Sequence, residues 1–140
     1  MKRILFSILL LSSLFSQDMW INEIHYDNYG TDEGEFIEIA ASASMSISSA
    51  SVTLYNGNNG SEYDNVSLSQ FTQGSTQDGY TFYYYSFPSN GIQNGAPDAI
   101  SLENGSVVIQ LISYEGTMTV FDGAANGMSS IDIGVSEPGE

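Results

Sequence analysis

The chain contains no cysteine, which removes disulfide stapling, thiolate chemistry and lipid attachment at a cysteine in one stroke. It is almost as poor in cations: Lys2 and Arg3 are the only basic residues among 140, against 17 Asp and Glu. Histidine and tryptophan occur once each, at His25 and Trp20, and proline three times. No serine sits in a G-x-S-x-G setting, so neither a nucleophile elbow nor a cysteine–histidine pair is on offer. Long apolar runs are absent after residue 16, and the one before it is shorter than the ~20 residues of a spanning helix. Nucleic-acid affinity rests largely on Lys and Arg that displace counterions from phosphate. A domain this acidic is not expected to bind DNA or RNA directly.

The opening segment "MKRILFSILLLSSLFSQ" has two cations, an apolar run from Ile4 to Leu11 and then small polar residues, the layout of a secretory signal peptide. Cleavage is placed after Ser16, giving a signal at 1–16, a mature domain at 17–140 and a secreted, extracellular destination with no membrane attachment afterwards. The mature chain then has 17 acidic residues and no Lys or Arg, formally −17 with His25 neutral. Such a surface repels itself and attracts cations.

With 41% hydrophobic residues the chain has enough apolar material for one core of ordinary size. From Trp20 onward short strand-like runs alternate with Gly, Asn, Asp and Ser clusters, and no helical period persists. The runs expected as strands are 20–26, 35–40, 52–55, 65–68, 80–87, 99–102, 107–113 and 118–121, which points to an all-β sandwich or barrel. "NGNNG" at 56–60 and "ENG" at 103–105 carry turn chemistry, the latter closing a tight hairpin. The Ser-rich stretch from Ala40 to Ser51 reads as a surface loop within one domain.

Four separated motifs, "WINEIHYDN", "GEFIEIA", "GIQNGAPDAISL" and "GMSSIDIGVSE", together resemble the bacterial lamin tail domain. The resemblance implies an immunoglobulin-like β-sandwich, here lacking its last strand because the sequence ends at "SEPGE". It also implies a non-catalytic accessory module for adhesion, targeting or presentation of a neighbouring domain. In the version most similar to this chain, the domain often precedes a secreted endonuclease/exonuclease/phosphatase-type nuclease, so an N-terminal portion of such an enzyme is the alternative, with a free carbohydrate- or protein-binding module as a third. Where that family usually has Leu-x-Gly-Trp, Ile47, Ser48, Ser49 and Ala50 stand instead, so a smaller side chain fills that part of the core.

Three stretches remain as candidate sites. "YDNYGTDEGEF" brings Asp27, Asn28, Asp32 and Glu35 into one connection, oxygen donors of the kind calcium takes six to eight of, with Gly30 and Gly34 to turn the backbone inward. The spacing is not that of an EF-hand, and a solvated turn is the plain alternative. "YTFYYYSF" puts Tyr80, Phe82 and Tyr84 on one face and Tyr83, Tyr85 and Phe87 on the other. A central strand packed on both sides is the expectation; exposed tyrosines stacking on sugar rings or meeting a protein partner are the alternative. In "NGAPD", Asp98 is expected to accept backbone N–H bonds as the next strand begins, with Glu115 or Asp122 as candidate neighbours in a cation site. His25 reads as a hydrogen-bonded strand histidine rather than a catalytic one.

Overall fold

The computed structural model describes residues 18–95 and 97–137; the expected signal segment 1–16 lies outside them. Nine strands follow one another along the chain: β1 (Met19–His25), β2 (Phe36–Ser42), β3 (Ala50–Tyr55), β4 (Glu62–Ser67), β5 (Thr72–Gln77), β6 (Tyr80–Ser86), β7 (Asp98–Asn104), β8 (Val107–Tyr114) and β9 (Ile131–Asp132). They form a β-sandwich of two sheets, ordered β1-β2-β6-β5 and β4-β3-β7-β8-β9. Every pairing is antiparallel except the short β8–β9 contact at Ile112 and Ser113.

Strand alternation decides what lies between the sheets. Ile37, Ile39 and Ala41 of β2 point inward and meet Val52 and Leu54 of β3 and Ile100 and Leu102 of β7, all fully buried. Strand β7 is buried on its second face as well, because Ala99 belongs to a smaller cluster in which Tyr55 and Leu111 are covered by Met118, Val120 and Ala125. The 43–49 segment carries the chain from the first sheet to the second, and Ala50, 1% exposed, sits in the core where the resembled family has tryptophan.

Three expectations need correction. Residues 118–121 form no named strand, only the isolated bridge Thr119↔Ser129: Met118 and Val120 serve to cover the second sheet, and their backbone bonds close the turn at 123–128. Strand β5, "TQGSTQ", has no counterpart among the expected strands, because its five polar residues and Gly74 are all exposed and it forms a sheet edge beside β6 alone. Its only local signal is the turn after it, where Asp78 (φ 52) and Gly79 (φ 85) adopt the paired positive φ of a tight hairpin. The aromatic strand β6 is interior in its sheet yet packed on one face only: Tyr83 and Tyr85 join the core, whereas Tyr84 is 41% exposed on the other side.

Candidate functional site

The connections 26–35, 56–61 and 87–97, the residues after β8 and the segment at 133–137 all emerge at one end of the sandwich. Between them lies a cleft of roughly 1380 Å³ whose walls are carboxylates and amides. Asp27, Asp32, Asp98, Glu115 and Glu137 line it, with Asn28, Asn56, Asn90, Gln93 and Asn94. Gly30 (φ 94) and Gly34 (φ 76) supply the left-handed backbone that the first connection needs, as their positions imply.

Three of the four oxygen donors singled out from the sequence come together here. Asp27 and Asp32, 7% and 4% exposed, both accept from the Asn94 side-chain amide, at 3.2 and 3.1 Å. Asn28 donates its N–H to Asp32 Oδ1 (2.9 Å), accepts the Glu33 N–H on its own Oδ1 (2.7 Å) and turns its amide nitrogen to His25 Nε2 (2.9 Å). Glu35 is placed differently. It is fully buried and absent from the cleft wall, and its two oxygens accept the N–H groups of Gly91 (2.8 Å) and Ile92 (2.9 Å). Its carboxylate is thus an internal cap for the 87–97 connection, and the expected set of Asp27, Asn28, Asp32 and Glu35 is not assembled as one ring of donors. Among the described residues no group of three or more His, Asp or Glu is disposed to hold a metal ion.

Asp98 behaves as the "NGAPD" pattern implies. Oδ1 accepts from Gly57 N–H (2.6 Å) and Oδ2 from Gly95 N–H (2.8 Å), tying two connections to the start of β7. Burial raises its pKa above the usual carboxylate value, and these two bonds oppose the rise. Glu115 lies in the same cleft; Asp122 does not, and instead acts on Glu62, whose proton affinity is raised first by burial and then by that charge.

At the far wall Glu137 does for β1 what Glu35 does for the 87–97 connection. Oε2 accepts from the N–H groups of Tyr26 (2.6 Å) and Asp27 (2.8 Å), and Oε1 lies 2.9 Å from His25 Nδ1. That contact raises the His25 pKa, with burial acting against it. The Glu137 N–H donates in turn to the Tyr26 hydroxyl (3.0 Å), which donates to Glu115 (3.2 Å). Burial pushes this hydroxyl up to about 12. The ring of Tyr26 stacks on Tyr114 at 3.9 Å, and the Tyr114 hydroxyl donates to the Gln93 carbonyl. His25 is therefore the hydrogen-bonded strand histidine that the sequence suggested. Glu137, Asn90 and Asn94 were not picked out in advance; their partners lie 58 to 112 residues away, too far for any local pattern to signal.

The chemistry of the cleft follows from this bonding. Each of Asp27, Asp32, Asp98 and Glu137 accepts hydrogens from backbone or amide groups that hold the loops in place. Comparison of the chain with protein-family models, with curated proteins and with solved structures returned no match, so the lamin-tail resemblance rests on the four motifs alone.

Proposed function

We propose that this chain is a non-catalytic extracellular interaction domain, an immunoglobulin-like sandwich of lamin-tail type that serves adhesion, targeting or presentation of a neighbouring domain. The observation that carries this reading is the outer face of the β1-β2-β6-β5 sheet, where the outward aromatic side chains of an interior strand are only partly covered: Tyr84 is 41% exposed, and Tyr80 and Phe82 are half-buried, on a strand flanked by β2 and β5. A sheet face of this kind is a contact surface, since aromatic residues give large burial with few rotamers to lose. The loop cleft supports the same reading from the other side, because its carboxylates are engaged in holding loops. The excess of 17 acidic residues over two cations disfavours phosphate-bearing partners.

The full chain, tagged and expressed from its own leader in a bacterial host, tests the reading by fractionation. Retention on cells or extracellular matrix above that of a leader-bearing fluorescent control is expected, with no cleavage of DNA or phosphomonoesters in magnesium or calcium. Retention equal to the control, or hydrolysis abolished by a point change in this chain, overturns it.

A further inference from the structure

We propose that the outer face of the β1-β2-β6-β5 sheet is a binding platform for a glycan that carries no acidic groups. The inference rests on the reading of the chain as an interaction domain and names the partner's chemistry. Register places Trp20, Ala40 and Phe82 side by side across β1, β2 and β6, and the next outward positions along hold Glu38 beside Tyr84 and Thr72. Tyr80 lies on the other flank, its ring 4.9 Å from that of Trp20 in an edge-to-face pair. Ala40 is fully covered although it faces outward, so it forms a shallow floor between the Trp20 and Phe82 positions. Those two positions are two strand spacings apart, on the order of 9.6 Å.

The composition of this face selects among partners. Its outward positions on β1, β2 and β6 hold aromatic, acidic, amide, hydroxyl and imidazole groups, and Ala40 is the only aliphatic residue among them. Protein interfaces are depleted of charge at their core, whereas Glu23 and Glu38 stand on this face, and the large exposed aliphatic residues among those described, Val107, Ile131 and Val135, lie outside this sheet. A pyranose ring needs the opposite mixture: flat aromatic surface for its C–H face and fixed polar groups for its hydroxyl rim. The polar groups are already ordered. Trp20 Nε1–H donates to Asn22 Oδ1 (3.2 Å), and Asn22 Nδ2–H donates to Glu38 Oε1 (2.8 Å), a relay that runs from one ring across to the strand beside Tyr84.

A local rule is broken at the same place. Glu23 and Glu38 are direct cross-strand partners, a like-charge pairing that destabilises a sheet, and no Lys or Arg follows Arg3 in the sequence to relieve it. Costs of this kind are kept where side chains serve a ligand. Carboxylates here accept hydroxyl hydrogens well and repel uronic acids, sulfated sugars and phosphate. A cationic partner would be attracted to acidic residues anywhere on this surface and would not require rings laid across three strands.

The test uses the secreted full chain in native gels containing hydroxyethylcellulose, xyloglucan, galactomannan or laminarin, with alginate as the acidic control and polylysine as the cationic one. Trp20 is the sole tryptophan, so its fluorescence reports directly on the platform. At least one neutral polymer is expected to retard the chain and shift Trp20 emission, with affinity reduced about tenfold or more in Tyr84→Ala and Trp20→Ala, weakened in Glu38→Gln and retained in Tyr84→Phe. Tyr84 is exposed enough for its truncation to leave the fold intact, and Trp20→Phe covers the case in which Trp20→Ala unfolds. Retardation by none of the neutral polymers, by alginate or polylysine alone, or unchanged in both alanine variants overturns the proposal. A chain that is retained on cells yet binds no neutral polymer sinks this inference and leaves the interaction-domain reading standing.

Discussion

Glu35→Gln is the sharpest probe of how the loop end is built. The wild-type carboxylate is fully buried with no cation against it, and it accepts the Gly91 and Ile92 N–H groups at 2.8 and 2.9 Å. Two effects compete when it becomes an amide. Removing the charge relieves a desolvation cost, which by itself would stabilise the fold. The amide, however, has one acceptor for two fixed donors, so one N–H meets an NH₂ group and loses its partner. A hydrogen bond to a charged group contributes about 1.5–3 kcal/mol, and an orphaned buried donor costs a further ~1–3 kcal/mol. The loss outweighs the relief, and a net destabilisation of about 2–3 kcal/mol is expected. For a domain of this length that is a fall of roughly 10 °C in Tm, read by circular dichroism and by urea titration with an unchanged m-value. Glu35→Ala, which leaves both donors unpaired and opens a cavity, should fall further. Asp27→Asn, which alters one long bond to Asn94, should cost less than about 1 kcal/mol. If Glu35→Gln melts within about 0.5 kcal/mol of wild type, Glu35 is not the cap described here.

Three further outcomes follow from the geometry. The contact with Glu137 raises the His25 pKa in the folded state, so its stabilisation is complete below the unfolded value of about 6.5 and is lost as pH rises through the folded value; urea midpoints should decline across that window in wild type and stay flat in Glu137→Gln. At Gly57 an added Cβ would stand 1.4 Å from the Pro97 carbonyl oxygen, so Gly57→Ala must push two connections apart, costing about 1–3 kcal/mol in chemical denaturation and loosening the Asp98 bond to Gly57. Millimolar calcium should leave the wild-type Tm unchanged, since Glu35 faces away and Asp27 and Asp32 already share the Asn94 amide; an upward shift lost in both Asp27→Asn and Asp32→Asn would restore a cation to the cleft.

Much of the sandwich was legible because its inner strands obey a period of two. "FIEIA" and "DAISL" show by alternation the side chains that face between the sheets, Ile37 and Ile39 or Ile100 and Leu102, and Gly105 (φ 61) marks the hairpin that "ENG" announces. Strand β5 was not legible, because five exposed polar residues and a glycine have no buried face to pattern; β6 recruits it through backbone bonds. Residues 118–121 misled for the converse reason, since Met118 and Val120 alternate as in a strand while covering the outside of the second sheet.

The sequence by itself determined the acidic, disulfide-free character of the chain, its all-β class, and the Asp98 cap, whose three-residue reach to Gly95 is local. Which carboxylates face the cleft and which are spent inside was decided only by tertiary structure. Asp27, Asp32 and Glu35 look alike along the chain, but a buried backbone N–H must find an acceptor wherever the fold brings one. Gly91 and Ile92 find theirs in Glu35, 56 and 57 residues away, and Tyr26 and Asp27 find theirs in Glu137. The aromatic platform has the same origin: the spelling of "YTFYYYSF" offers two faces, and only the packing of β3 and β7 beneath one of them left Tyr80, Phe82 and Tyr84 on the outside.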